Sequence, residues 1–135
     1  MTSTPQFFHA LADRTRLRIV NLLARDSLCV CDIQRILEQP QSSVSRHLAL
    51  LKSAGLIRDR RDGMRTFYAL TAWDSRLWRA VLTAIRAHLA AESDYGADID
   101  ELTRLKTRGD CHKEPTGWAT GRRAPRRRHE HRPEA

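Results

Sequence analysis

No stretch of about 18 consecutive apolar residues occurs in the chain, which excludes a membrane-spanning helix of ordinary length. Residues Met1 to Phe8 carry neither the basic start nor the apolar run of a secretory signal, so a cytoplasmic protein without a membrane partner is expected. Cysteine is scarce and odd in number: there are three, two of them one residue apart, which is no disulfide framework. In a reducing compartment such a pair points to metal or redox chemistry. Catalytic signatures are missing as well. A Gly-rich phosphate loop, a Ser-His-Asp set in a workable order and a His-Glu-x-x-His motif are all absent, so neither an enzyme nor a catalytic cofactor is expected.

What the chain has in excess is positive charge. Lysine and arginine number 24 against 16 acidic residues, a formal net charge of +8. Clustered cations release counterions from a phosphate backbone on binding, so a polyanionic partner is favoured. A length of 135 residues suits one small domain of roughly 100 residues with extensions.

Apolar periodicity places helices at about 5–11 and 14–24, with Phe8, Leu11, Leu17, Ile19, Val20, Leu22 and Leu23 at helical spacing and Asp13 as cap of the second. A short third helix, about 30–38, stops before Pro40. The next, 41–54, closes on Gly55. Leu56 to Arg60 and Arg65 to Leu70 read as two strands around Asp62-Gly63, a tight hairpin dipeptide. From 73 to 91, Leu77, Val81, Ile85 and Leu89 repeat every fourth position and Trp78 and Leu82 widen the stripe, which needs a partner surface. Asp98 and Glu101 resemble a capping box opening a short helix with Ile99, Leu102 and Leu105.

The fold expected is therefore mostly helical with a two-stranded β wing, a winged helix-turn-helix. Residues 1–92 form the DNA-binding and dimerisation domain, 93–108 a short C-terminal helix, and 109–135 a basic, disordered tail rich in arginine from Arg122 to Arg132.

In the fourth helix Val44, Leu48 and Leu51 share one face, and Ser42, Ser45, Arg46 and Ala49 the opposite one. A face this small and polar suits close entry into a major groove, with hydroxyls and a guanidinium offered to phosphates and base edges. Gln41 and Ser43 extend it. Arg58, Arg60, Arg61 and Arg65 surround the hairpin tip, placed to follow the backbone of double-stranded DNA or reach a minor groove.

Several separated motifs then agree in order and spacing. The run from Phe8 through Ala12, Asp13, Arg14, Thr15 and Arg16 to Ile19 is the first of them. Gln41 to Leu48, Lys52 to Ile57, and Gly63 with Tyr68 and Leu70 follow. Together they resemble the ArsR/SmtB family of winged-helix repressors over about residues 5–92. The resemblance implies a homodimer built on the first and fifth helices. It also implies binding to an imperfect inverted repeat in operator DNA and release by a metal or metalloid.

Cys29 and Cys31 stand at the start of the third helix, just upstream of the reading helix. With Cys29 at the cap and Asp32 at the third helical position, unpaired backbone donors are expected to favour thiolates. Two soft thiolates suit As(III), Sb(III), Cd(II) or Pb(II) better than magnesium or calcium. Side chains two apart on a regular helix do not face one another, so a chelate across the pair is expected to distort the first turn.

The run Cys29-Val30-Cys31-Asp32 also resembles the metalloid site of arsenic-responsive members, which commonly carry a further cysteine where this chain has Gln34. Trivalent arsenic prefers three sulfurs, so Cys111 is the candidate third metal ligand, from either subunit. The expected function is a homodimeric repressor released from operator DNA by As(III), with Sb(III) fitting the same thiolates. Two alternatives keep the fold: a Cd(II)- or Pb(II)-responsive repressor, and a redox switch pairing Cys29 or Cys31 with Cys111. Zinc-sensing relatives use an Asp-x-His on the dimer helix, and here Asp74 is followed by Ser75 and Arg76, which rejects that site.

Overall fold

The computed structural model describes residues 3–71 and 75–113. The arginine cluster at 122–132, the His129-Glu130-His131 run and Asp74 lie outside the described residues. Among the described residues no helix is long and apolar enough to cross a membrane.

Among the described residues, six helices and three short strands follow one another. They are α1 (Thr4–Leu11), α2 (Arg14–Leu23), β1 (Leu28–Cys29), α3 (Val30–Leu37), α4 (Gln41–Ser53), β2 (Ile57–Asp62), β3 (Arg65–Leu70), α5 (Arg76–His88) and α6 (Ser93–Thr107), with a 3-10 turn at Leu89–Ala91. Local chemistry fixes most boundaries. Ser3 and Gln6 form a capping box on α1. Asp13 caps α2 by accepting from the Arg16 amide at 3.0 Å, and Ser75 caps α5 through the Trp78 amide at 3.0 Å. Glu38, in the left-handed region at φ 55°, ends α3 and turns the chain through Gln39-Pro40 into α4.

One apolar core joins these elements. Ile19, Leu22 and Leu23 of α2, Ile33 of α3, Val44, Leu48 and Leu51 of α4 and Leu70 of β3 are completely or almost completely buried. Phe7, and not the expected Phe8, is the aromatic of α1 that enters it, edge-on to Trp78 of α5 at 5.4 Å. Phe8 is 47% exposed.

The two-stranded wing is present as β2 and β3, and a further strand joins it: Leu28 and Cys29 pair with Tyr68 and Phe67, giving an antiparallel sheet ordered β1-β3-β2. Two residues show no periodicity, so β1 left no sequence signal. The last helix runs Ser93–Thr107, and Asp98 does not cap it as the Asp98/Glu101 spacing suggested. Asp98 is buried in mid-helix against Arg18, with both guanidinium bonds at 2.8 Å, and Glu101 pairs with Arg104 instead of closing a capping box. Gly96 lets the 3-10 turn lie close against this helix: a Cβ there would stand 2.5 Å from the Ala90 carbonyl oxygen.

Residue pairs Arg14–Asp94, Arg18–Asp98, Asp26–Lys106 and Asp32–His112 all differ by 80 in sequence. A constant difference means that the segment 94–112 runs alongside 14–32 in the same direction. The first part of the expected tail therefore has a definite place, returning to the start of α3 at Asp110 to His112.

Candidate metal centre and nucleic-acid interface

The polar face of α4 is exposed. Gln41, Ser42, Ser45 and Arg46 are exposed, while Ser43 is half-buried and donates to Gln39 Oε1 at 3.3 Å. Behind them, Arg16 is buried and holds the helix to its support. Its Nε donates to the Ala10 carbonyl at 2.7 Å, Nη2 to the His9 carbonyl at 3.3 Å, and Nη1 lies 3.3 Å from His47 Nδ1 on α4. One guanidinium thus closes the end of α1 and reaches α4.

Register fixes the wing. Asp62 opposes Arg65, leaving Gly63 at φ +64° with Met64 to turn the hairpin. Arg60, Arg61 and Arg65 are exposed around that tip and Arg58 is half-buried lower down, opposite Ala69. Lys52 at the end of α4 reaches Asp59 of β2 at 3.0 Å, so helix and wing are joined.

Cys29 occupies the cap of α3 with extended backbone, φ −81° and ψ 157°, and Asp32 the third helical position. At Cys29 the expected thiolate preference is not met. Burial pushes the Cys29 thiol up to about 12, with a hydrogen bond to Cys31 acting in the same direction. A metal binding here must therefore displace a proton. Cys29 is not itself helical, so the two cysteines are not spaced as two positions of one regular helix. The sulfurs of Cys29 and Cys31 already lie within 4.8 Å of one another.

The group these sulfurs meet was not expected. Among the described residues, ligand atoms of Cys29, Cys31, Asp32 and His112 fall within 4.8 Å of one another, and Cys111 is not in that group. Cys111 packs against the apolar core, where burial raises its thiol. The signal in the sequence is the Cys111-His112 dipeptide, whose imidazole and not its sulfur joins the pair. Cys29 also lies with Phe67 and Ala69 of β3 in a small buried cluster, which ties the thiol pair to the wing as well as to α3.

The sequence model of the bacterial regulatory protein, arsR family, matches residues 13–59. The arsenical resistance operon repressor of Escherichia coli (strain K12) is 43% identical over 91 residues, covering 61% of this chain and 78% of that protein. This chain belongs to the arsR family. It is a DNA-binding transcriptional repressor of that family and not an enzyme. The homodimeric winged helix-turn-helix DNA-binding domain of Mb0332 from Mycobacterium bovis is 32% identical, with a TM-score of 0.54, and the match covers 65% of this chain and 82% of that one. The AntR antimony-specific transcriptional repressor is 28% identical with a TM-score of 0.52, and that match covers 72% of this chain and 77% of AntR.

Proposed function

We propose that the chain represses transcription as a homodimer on operator DNA and is released when As(III), or Sb(III), binds the thiolates of Cys29 and Cys31. The observation that carries this reading is the position of the pair. Cys29 sits in a strand paired with the wing and Cys31 on the helix that leads into α4, so one ion on both sulfurs acts at the joint of the two DNA-contacting elements. Names of the relatives favour a metalloid: one is an arsenical resistance repressor and another is antimony-specific. Release requires only that the ion bind the free form better than the DNA-bound form, a coupling of typically about 1 to 3 kcal/mol.

The DNA-reading residues are Gln41, Ser42, Ser43, Ser45 and Arg46, with Arg58, Arg60, Arg61 and Arg65 of the wing on the backbone or in a minor groove. A dimer is supported by the outer faces of α1 and α5, where Phe8 and Leu77 are exposed and Val81 is half-buried, with Leu89 half-buried in the 3-10 turn that follows. Two copies joined there would present two recognition helices about one DNA turn apart.

The test is a titration of the operator complex with arsenite and antimonite, in the unaltered protein and in Cys29→Ser and Cys31→Ser. Release by either ion is expected to vanish in both variants while DNA affinity stays. Release retained in both would overturn the assignment. Sedimentation with and without Leu77→Arg tests the dimer, which that charge should dissociate.

A further inference from the structure

Four side chains drawn from opposite ends of the sequence meet at the start of α3. The sulfurs of Cys29 and Cys31 lie 3.2 and 3.4 Å from His112 Nδ1, and Asp32 Oδ1 lies 3.3 Å from the same nitrogen. The imidazole is held there through its backbone. Asp32, completely buried, accepts the His112 amide on Oδ2 at 2.9 Å, and its Oδ1 accepts from Arg35 at 2.7 Å. Arg35 in turn donates to the Asp110 carbonyl at 3.0 Å. A buried carboxylate and its arginine thus grip the peptide on both sides of Cys111 and aim the next side chain at the thiols.

We propose that Cys29, Cys31, His112 and Asp32 form a four-donor site for a divalent d10 cation, Zn(II) or Cd(II), with a ligand set different from the thiolates that take trivalent arsenic. The proposal shares the thiol pair with the function proposed above and rests on it only there. Donor chemistry is the first argument. Mixed sulfur, imidazole and carboxylate ligation suits four-coordinate zinc-like ions, whereas trivalent arsenic uses sulfur.

Geometry is the second argument. A tetrahedral ion with bonds of about 2.3 Å to sulfur and about 2.0 Å to nitrogen has S···N edges of about 3.5 Å. The two S···N separations, 3.2 and 3.4 Å, are already close to that.

Charge balance is the third. Two thiolates and Asp32 carry three negative charges, which the cation and Arg35 neutralise together, as a buried site requires. Access is open on one side, through a pocket of about 470 Å³ lined by Cys31, Gln34, Arg35 and His112 among others. On binding, the ion replaces the protons of the two thiols, which pass to solvent, and fastens the segment after α6 to α3.

The experiment uses the full chain, reduced and metal-free. Cd(II) is titrated by its thiolate charge-transfer absorbance, Zn(II) by competition with a chromophoric chelator, and arsenite by its own thiolate absorbance, in the unaltered protein, His112→Gln, Cys111→Ser and Cys29→Ser. His112→Gln is expected to weaken Cd(II) and Zn(II) by tenfold or more while arsenite binding stays within about twofold. Cys111→Ser should change neither, and X-ray absorption of the Cd(II) form should show two sulfurs with nitrogen or oxygen completing the shell.

Unchanged Cd(II) affinity in His112→Gln, or a shell of three sulfurs, overturns the four-donor site and leaves the arsenite reading standing. Arsenite binding retained in Cys29→Ser overturns that other reading instead. Far-UV circular dichroism of His112→Gln, whose side chain lies beyond the last helix, checks that the fold is intact.

Discussion

Helix α4 buries Val44, Leu48 and Leu51 completely against α2, α3 and β2, whereas α6 buries Leu102 and Leu105 and fastens the rest of its length to α2 by charge. Asp94 meets Arg14, Asp98 meets Arg18 and Lys106 meets Asp26, each across 80 residues of sequence. The first arrangement is held by area removed from water, roughly 25 cal/mol per Å² of apolar surface. The second is held by pairs whose worth depends on burial, and Arg18–Asp98, at 16% and 4% side-chain exposure, is the buried one. Arg14–Asp94, half-exposed on both sides, contributes little. An apolar face therefore secures α4, whereas a buried ion pair, beside Leu102 and Leu105, secures α6, the element that leads to His112.

Breaking the buried pair should have the largest effect. Asp98→Ala leaves the Arg18 guanidinium half-desolvated and unpaired, and urea unfolding should show a loss of about 3 to 5 kcal/mol. Arg18→Met with Asp98→Leu should recover most of it; no recovery would mean that α6 depends on more than this pair. Leu48→Ala opens a cavity under the recognition helix and should cost about 3 kcal/mol by the same measurement. That loss would accompany weaker operator binding, whereas Asp98→Ala should leave the reading face in place.

Arg46→Ala removes a surface guanidinium and should leave stability within about 0.5 kcal/mol while weakening operator binding by about 1 to 3 kcal/mol if it reads a base. If Arg46 contacts only phosphate, the salt slope should instead fall by about one unit without a change in sequence preference.

The smallest effect concerns acid. Burial by itself would raise the Asp13 carboxyl, but the Arg16 amide, the Arg16 guanidinium and His47 together hold it below its usual range. A depressed folded value means that the cap contributes fully above the unfolded value of about 3.9 and is lost as pH falls through the folded one. Asp13→Ala should cost about 1 kcal/mol at pH 7, and the difference between the two proteins should shrink below about pH 4. An unchanged difference at pH 2.5 would show that the carboxylate charge is irrelevant to the cap.

The limits of the sequence reading follow the same division. The periodicity of Val44, Leu48 and Leu51 located α4 to within a residue, and Asp62-Gly63 located the wing, because both signals are carried by neighbours in sequence. Asp98 was misread because Asp followed three residues later by Glu is a cap signature; its real partner, Arg18, lies 80 residues away. Strand β1 was missed because two residues have no period, and with it the pairing of Cys29 to the wing.

For the thiol site, the sequence by itself determined that two sulfurs stand at the start of the helix before the recognition helix, since helix boundaries are local. It also determined which face of that recognition helix is free. Only the tertiary structure decided what joins the sulfurs. A parallel run of charge pairs carries the chain back along α2, and Asp32 then grips the peptide at 112, bringing an imidazole to the pair while Cys111 turns to the core. Hydrophobic spacing is legible in a window of a dozen residues, whereas the partner of a buried carboxylate is fixed by three-dimensional neutralisation, which no local pattern records.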